Sequence, residues 1–297
     1  MADEPPAMIP GRPGSTGPPV EADVAFPSAD GTGLRGRSWS VPAPRAVLVI
    51  AHGLGEHGGS YRRTAEVLGA SADVDILAFD FRGGGRSPGR RGVVRRYDDL
   101  TSDLVAALGF AARERPGLPR FLLGHSNGGL VAIRAMLGGD RGLAGLILSN
   151  PLLRLSARVP PWKRAVGEFL RVVAPGVTLP TGLTNEQLTR DPDFIAGIEA
   201  DPLRHGRISP PLFFGMRRSG PEALARAGEI RLPTLMILGA DDTIIDPASG
   251  RLFFDRLSSR DKTLKVYINM RHEPLNELGR DVVLADVAGW LRGRTGR

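Results

Sequence analysis

Short apolar runs alternate along the chain with longer segments in which apolar residues recur every three or four positions. The runs are rich in Val, Ile and Leu, as is typical of buried strands, and they lie at Ala46 to Ala51, Val74 to Phe79, Phe121 to Leu123, Leu143 to Leu148, Leu232 to Leu238 and Leu264 to Ile268. The segments with helical spacing lie at Tyr61 to Leu68, Leu100 to Ala112, Leu130 to Leu137, Ala248 to Leu257 and Val282 to Leu291. This alternation predicts an α/β fold with a mostly parallel central sheet and helices on both faces.

The alternation stops after Pro151 and resumes near Leu232, which leaves about 80 residues rich in Pro and Arg without a clear strand. The interruption predicts an inserted, mainly helical cap. One segment within it is amphipathic, with basic residues between apolar positions at helical spacing: Trp162, Ala165, Val166, Phe169, Leu170 and Val173. Its apolar face could touch acyl chains or a membrane surface, or it could pack on the core. Trp162, Phe169 and His205 are the candidate substrate contacts of the cap.

These patterns divide the chain into four parts. Residues 1–22 are expected to be a disordered tail, 23–151 the first part of the core, 152–230 the cap, and 231–297 the second part of the core. The start carries acidic residues and alternates Pro with Gly without an apolar stretch, so it does not resemble a signal peptide. No uncharged apolar run approaches the roughly 18 residues that span a bilayer. A cytoplasmic protein is therefore expected.

The composition narrows the classes of partner. With 297 residues, 41% of them hydrophobic and 24% charged, the chain can bury a large core. The absence of cysteine removes disulfides and thiolate chemistry. The net charge is +7, and six arginines fall in one short stretch: Arg82, Arg86, Arg90, Arg91, Arg95 and Arg96. This stretch is either a solvated loop or a site for an anionic partner. It has no interleaved aromatics, so no nucleic-acid partner is expected.

The pattern G-x-S-x-G, found around nucleophilic serines, occurs twice. In Gly124 to Gly128 the serine, Ser126, follows the apolar run at 121–123 and precedes a helical segment. A serine on such a strand-turn-helix elbow is exposed at the carboxyl edge of the sheet. The second match, around Ser87, continues into a loop of Pro, Gly and Arg. Ser126 is therefore the predicted nucleophile and Ser87 a loop residue.

The general base can be sought among five histidines. In α/β-hydrolases the serine precedes the acid and the acid precedes the histidine, and only His205 and His272 follow Ser126. His205 lies in the predicted cap, before every credible acid loop. His272 follows the last predicted strand and is the preferred base. The tight turn should point His125 away from Ser126.

The acid is expected in the loop after the strand at 232–238. This loop contains Asp241 and Asp242, with Asp246 four residues later, and all three could instead be loop caps. One carboxylate should bind the ring N–H of the base and fix its tautomer. The residues themselves rank Asp241 and Asp242 closely.

A glycine-rich segment, His52 to His57, follows the first predicted core strand. Its glycines allow main-chain N–H groups to approach a reacting carbonyl. The N–H groups of Leu54 and of Asn127, the residue after the predicted nucleophile, are the expected oxyanion donors. The alternative is a turn without a catalytic part.

Five ordered blocks resemble the monoacylglycerol lipase and lysophospholipase-like group of the α/β-hydrolase superfamily: HGLGEHGGSYRR, FDFRGGGRSPGRRG, GHSNGG, GADDTIID and RHEPLNE. The resemblance covers roughly residues 24 to 294, and ordered blocks are more specific than one motif. It implies a capped hydrolase of lipid monoesters with Ser126 as nucleophile, Asp242 as acid, His272 as base, and oxyanion donors at Leu54 and Asn127. The group often has a small residue at 54 and Met at 127, so the pocket wall beside the acyl carbonyl differs here. Within the cap, only residues 201–205 match.

The predicted chemistry is acyl transfer through an acyl-enzyme formed on Ser126. No cofactor and no metal are expected, because the histidines lack zinc-ligand spacing. The expected partner is a small-molecule or lipid ester, with transient membrane-surface contact through the cap as a further possibility. A peptidase or amide hydrolase on the same scaffold, or a ligand-binding protein without catalysis, are the alternatives.

Overall fold

The computed structural model of the chain describes residues 17–157 and 159–295. Its core is built on one sheet of eight strands. The strands of this sheet are β1 (Val20–Pro27), β2 (Gly33–Ser40), β3 (Ala46–Ala51), β4 (Val74–Asp80), β5 (Arg120–His125), β6 (Gly145–Ser149), β9 (Thr234–Gly239) and β10 (Lys262–Tyr267). Two further strands, β7 (Leu179–Pro180) and β8 (Arg207–Ile208), form a separate short pair. The helices are α1 (Arg62–Ala72), α2 (Tyr97–Glu114), α3 (Ser126–Leu137), α4 (Pro161–Val173), α5 (Asn185–Leu188), α6 (Pro192–Ala200), α7 (Pro210–Arg226), α8 (Pro247–Arg256) and α9 (Arg280–Arg292).

The strand order is β1-β2-β4-β3-β5-β6-β9-β10, with β2 antiparallel to both of its neighbours and the other pairs parallel. Strands β3, β4, β6 and β9 are buried along their whole length, since helices cover both faces of a parallel sheet. Two apolar clusters, one on each face, form the core. The predicted α/β class with a mostly parallel sheet is confirmed.

The predictions fail at the two ends of the sheet. The interval at 264–268 was expected to be a buried strand, but β10 is an edge strand with half-buried residues, and Ile268 is 78% exposed. Strands β1 and β2 were not predicted, because polar residues alternate with apolar ones where the sheet faces water. Most of the predicted tail lies outside the described residues. Residues 20–22, assigned to it, instead begin β1, where hydrogen bonds to β2 hold them.

The chain between β6 and β9 contains α4 to α7 and the short β7–β8 pair. Helix α7 packs against α2 and α3, and so joins this segment to the core. Helix α4 buries only Gly167, which lies against the ring of Phe214, while Trp162 and Phe169 are each 65% exposed. Most of the apolar face of α4 is therefore open to solvent.

Within the part of the chain that the structure describes, no helix is both long enough and apolar enough to cross a membrane.

Candidate active site

Ser126 lies at the junction of β5 and α3. Its backbone has φ 51°, a left-handed conformation that non-glycine residues rarely adopt. The turn is possible because the residues two positions before and two positions after Ser126 are glycines: a Cβ at Gly124 would overlap Gly129, and one at Gly128 would overlap the Ala51 carbonyl. Ser126 is thus held above the carboxyl edge of the sheet, as the strand-turn-helix pattern predicts.

The structure brings Ser126, Asp242 and His272 together. The Nδ1 atom of His272 lies 2.7 Å from Asp242 Oδ2, and its Nε2 atom lies 2.8 Å from Ser126 Oγ. A carboxylate can only accept, so Nδ1 carries the proton and Nε2 accepts from the serine hydroxyl. All three residues are buried. Such a chain can transfer the serine proton to the imidazole and stabilise the imidazolium that results.

The three aspartates of the acid loop have different partners. Asp242 also accepts hydrogen bonds from the N–H groups of Ile244 and Ile245, at 2.8 and 2.9 Å, which fixes its carboxylate. Asp241 faces away and pairs with Arg190 at 2.6 Å. Asp246 caps α8. The geometry therefore separates Asp241 from Asp242, which the residues alone left close.

The remaining histidines have partners elsewhere. His52 accepts the N–H of Phe81, and His57 lies 2.6 Å from Asp201. His125 directs Nδ1 towards the Ser149 carbonyl, 3.1 Å away, and burial lowers the pKa of its ring to about 4. Burial also lowers the pKa of His205 to about 4. Among the residues that the structure describes, the histidine hydrogen-bonded to the Ser126 hydroxyl is His272.

The second G-x-S-x-G match is structural. The Ser87 hydroxyl is buried, donates to the Asp80 carbonyl at 2.6 Å and accepts the Arg35 N–H at 2.9 Å. Both bonds tie the loop to strands β4 and β2. The Ser87 hydroxyl therefore stabilises the loop and is not exposed to a substrate.

Asn127 and Leu54 lie beside Ser126. Asn127 is in the first turn of α3, where main-chain N–H groups have no intrahelical partner. Its side-chain oxygen accepts a 2.7 Å hydrogen bond from the buried Tyr97 hydroxyl. Leu54 lies in the loop after β3 and lines the same cavity as Ser126. These are the positions from which the expected oxyanion donors would act.

A buried charged cluster, which the sequence analysis missed, underlies this loop. It consists of Glu56, Arg204 and Glu273, with the Tyr61 hydroxyl and the His125 ring at its border. Arg204 Nη2 lies 2.5 Å from Glu56 and 3.3 Å from Glu273. A sequence signal existed, because Glu56 and Glu273 adjoin the glycine-rich loop and His272, but nothing indicated that Arg204 would join them.

The two carboxyl groups of the cluster titrate differently. Burial, followed by the charge of Glu56, raises the pKa of Glu273 well above its ordinary value. Burial acts in the same sense on Glu56, but Arg204 and a hydrogen bond with Glu273 outweigh it and hold the pKa of Glu56 well below its ordinary value. The cluster therefore favours the ionised form of Glu56, which pairs with Arg204, and disfavours a second negative charge on Glu273.

A cavity of about 460 Å³ opens over Ser126, a size that suits a small organic ligand. Its walls are mostly apolar and come largely from the segment between β6 and β9, for example Leu152, Leu188, Phe213 and Met216. The structure does not place the predicted substrate contacts of the cap in this cavity. Trp162, Phe169 and His205 do not line this cavity: the two aromatic side chains face solvent on α4, while the same helix offers Lys163 and Gly167 to the cavity.

Half of the arginine stretch has acidic partners. Arg82 binds Asp103 at 2.6 Å, Arg86 binds Asp23 at 2.9 Å, and Arg96 binds Asp99 at 3.0 Å. These pairs favour a structural role for those arginines over a site for an anion.

Comparisons with known proteins agree with this geometry. The family model described as "Serine aminopeptidase, S33" matches residues 42–279. A monoacylglycerol lipase of Mycolicibacterium smegmatis is 36% identical over 251 residues, which are 84% of this chain and 88% of the relative. A human monoglyceride lipase is 30% identical over 275 residues, 90% of this chain and 89% of the relative. A Saccharomyces cerevisiae monoglyceride lipase, crystallised with a substrate analogue, superposes with a TM-score of 0.83 at 26% identity and covers 95% of this chain and 97% of that one.

Proposed function

The chain belongs to the serine aminopeptidase S33 family and is an ester hydrolase, and on this premise we propose that its substrates are lipid monoesters, with monoacylglycerols as the leading class. One observation carries the proposal: the hydrogen-bonded series from Asp242 through His272 to Ser126 opens onto a largely apolar cavity. An acyl chain can occupy such a cavity while its carbonyl lies at the serine.

In the first step, Ser126 Oγ attacks the ester carbonyl carbon and its proton passes to His272 Nε2. The N–H groups of Leu54 and Asn127 donate hydrogen bonds to the carbonyl oxygen and stabilise the negative charge that develops on it. The bond to the alcohol oxygen then breaks, and His272 donates its proton to that oxygen. The products are a free alcohol and an acyl group on Ser126.

In the second step, a water molecule attacks the acyl-enzyme while His272 takes its proton. Collapse of the intermediate breaks the bond to Ser126 Oγ, which recovers a proton from His272. The fatty acid leaves. Throughout, Asp242 keeps the proton of the ring on Nδ1 and stabilises the imidazolium.

The family description raises a second candidate, because it names an aminopeptidase. A peptidase of free amino termini needs an anionic group near the cleaved bond to bind the substrate ammonium. Glu56 and Glu273 line the cavity, but Arg204 lies between them and already neutralises the ionised Glu56. This favours an ester with an uncharged alcohol over a cationic peptide terminus.

Hydrolysis rates across four substrate classes test the proposal: monoacylglycerols of increasing acyl length, lysophospholipids, short nitrophenyl esters and aminoacyl nitroanilides. We expect turnover of the esters, with the largest kcat/KM for monoacylglycerols, and labelling of Ser126 by a fluorophosphonate. Ser87→Ala should be labelled like the wild type. Turnover of the anilides alone, or absence of labelling in folded protein, would refute the proposal.

The open face of α4 supports a finer proposal, that this helix touches lipid surfaces. Trp162 and Phe169 are each 65% exposed and Val172 is 74% exposed, and Lys163, Arg164 and Arg171 are interspersed with them. Apolar side chains that enter the interface beside basic residues bind anionic bilayers. In a sedimentation assay with vesicles that contain phosphatidylglycerol, the wild type should pellet with the vesicles, and Trp162→Ser/Phe169→Ser should stay in the supernatant. Equal fractions of both proteins in the pellet would refute surface contact.

A further inference from the structure

We propose that Arg204 is a positioning residue that holds two loops in their relative places. One is the oxyanion loop, His52 to His57, and the other is the histidine loop, which joins β10 to α9 and contains His272. The inference rests on the proposed function of the same site. Arg204 comes from the segment between β6 and β9, whereas the groups that it binds belong to two separate loops of the core. Its side chain is only 9% exposed, and the Phe194 ring lies 5.5 Å from the guanidinium. Arg204 also lines the cavity over Ser126, but its polar contacts are with the groups of these two loops, and we assign its effect to them.

On one side, Arg204 holds the loop of the oxyanion donor. Its guanidinium binds Glu56 Oε1 at 2.5 Å. The other oxygen of Glu56 accepts the N–H of Gly53 at 2.7 Å and the Tyr61 hydroxyl at 2.9 Å. Gly53 directly precedes Leu54, so the orientation of the Leu54 peptide depends on a carboxylate that Arg204 fixes.

On the other side, Arg204 holds the loop of the general base. It lies 3.3 Å from Glu273 Oε1, and Glu273 directly follows His272. The opposite oxygen of Glu273 accepts a 2.7 Å hydrogen bond from the Asn276 amide. One guanidinium therefore connects the residue beside the base to the loop of the oxyanion donor.

The neighbours of Arg204 make further contacts with the same loop. Asp201 Oδ2 lies 2.6 Å from His57 Nε2, and the N–H of His205 donates to the Gly55 carbonyl at 3.0 Å. A Cβ at Gly55 would overlap the His205 carbonyl, and Gly55 has φ +77°, so the approach requires glycine there. Three contacts within residues 201–205 thus determine where the oxyanion loop lies.

Electrostatics explains why a cation is needed at this position. Ligand atoms of Glu56, His125 and Glu273 lie within 4.8 Å of one another, an arrangement that could also bind a metal ion. Arg204 supplies the positive charge there. Without it, Glu56 would be a buried carboxylate with no ionic partner, and burial of an unpaired charge is costly. The loop would then move towards water and carry the Leu54 N–H away from the reacting carbonyl.

Steady-state kinetics on a short soluble ester tests this inference. Arg204→Met keeps an unbranched, flexible side chain and removes the charge. We expect kcat to fall about 10- to 100-fold with little change in KM, because misplaced catalytic groups slow chemistry more than binding. Arg204→Met/Glu56→Gln, which removes the unpaired charge as well, should recover most of the lost kcat. A merely structural role for Arg204 would give no such recovery.

Arg115→Met is the matched control. Arg115 pairs with the buried Asp75 at 2.6 Å, at the amino edge of the sheet, away from Ser126. This variant should lose stability and keep its kcat. Arg204→Lys retains the charge on a shorter side chain that lacks the planar guanidinium, and we expect it to fold and to show a kcat about 3- to 10-fold below the wild type.

Unchanged kcat in folded Arg204→Lys or Arg204→Met, or a folded double variant as slow as Arg204→Met, would overturn the inference. The activity of the wild type in the same assay distinguishes failure of this inference from failure of the proposed function. A wild type that neither hydrolyses the ester nor reacts with a fluorophosphonate refutes the proposed function. An active wild type with unaffected Arg204 variants refutes only the positioning role.

Discussion

Two pentapeptides of this molecule share the pattern G-x-S-x-G and have opposite structural roles. In Gly124–Gly128 the serine lies at a strand-to-helix turn with φ 51°, and its hydroxyl meets an imidazole at 2.8 Å. In Gly85–Gly89 the serine lies in a loop, and both of its hydrogen bonds go to the main chain of neighbouring strands. The pattern is the same, and the partners of the hydroxyl differ.

The difference shows that the glycines of G-x-S-x-G permit a tight backbone turn, but that the pattern does not decide whether its serine is a nucleophile. Glycines allow close backbone approach in both places: a Cβ at Gly128 would overlap the Ala51 carbonyl, and one at Gly85 would overlap the Asp80 carboxylate. The Ser126 hydroxyl is hydrogen-bonded to His272, from a distant loop, whereas the Ser87 hydroxyl is bonded to main chain. Substitutions at matched positions can therefore test whether the two serines differ as the structure indicates.

Removal of the two hydroxyl groups should give the largest contrast. Ser126→Ala eliminates the proposed nucleophile, so kcat on a nitrophenyl ester should fall about 10⁶-fold, with complete loss of fluorophosphonate labelling. Ser87→Ala should keep kcat within about twofold of the wild type, because this hydroxyl touches only main chain. Comparable loss in both variants would mean that the two sites are not distinct in the way described.

The acid loop offers the next contrast, between two adjacent aspartates. Asp242→Asn should lower kcat about 10⁴-fold, since an amide at this position can favour the wrong tautomer of His272. Asp241→Asn removes a half-exposed ion pair with Arg190 and should change kcat less than about threefold. Kinetics on the same ester measures both, and a larger loss in Asp241→Asn would reassign the acid.

Stability should reveal what Ser87 does contribute. Ser87→Ala leaves the Arg35 N–H and the Asp80 carbonyl without the Ser87 hydroxyl as partner, which should reduce the free energy of unfolding by about 1–3 kcal/mol. Denaturant titration measures the change. Ser71→Ala is the control, because Ser71 is exposed on α1 and its hydroxyl donates to the Val67 carbonyl of the same helix. An equal loss in both variants would contradict a special role for the Ser87 hydroxyl.

The residue before each serine gives the smallest contrast. Burial lowers the pKa of His125 to about 4, whereas an unfolded histidine titrates near 6.5. Between these values the unfolded chain binds more protons, so His125 reduces stability as the pH falls from about 6.5 to 4. The reduction from pH 6.5 to 5 should be about 1.5 kcal/mol.

His125→Gln should therefore lose less stability than the wild type over this pH range, measured by denaturant titration at each pH. Arg86→Gln is the control at the matching position, directly before Ser87, and should follow the wild-type pH curve because it leaves His125 in place. Parallel curves for His125→Gln and the wild type would show that His125 is not the group responsible.

The sequence predicted the inner strands and the helices around them because burial imposes a regular apolar pattern. It missed β1 and β2, where the sheet meets water and polar residues interrupt that pattern. It located β10 but predicted a buried strand where the structure has a half-buried edge strand. In the segment between β6 and β9 it found the amphipathic α4 but assigned its exposed aromatic residues to the substrate cavity. Periodicity identifies an apolar face and does not show what that face contacts.

By itself, the sequence determined the turn that presents Ser126 and the order of serine, acid and histidine, since both follow from local chemistry and chain order. Local chemistry ranked Asp241 and Asp242 closely, and the family resemblance implied Asp242. The tertiary structure places Asp242 against His272, because adjacent side chains in a loop point in different directions. It also decided that Arg204 lies between Glu56 and Glu273. Those residues are 148 and 69 positions away from Arg204 in the chain, and no local pattern encodes a contact that depends on how separate segments pack.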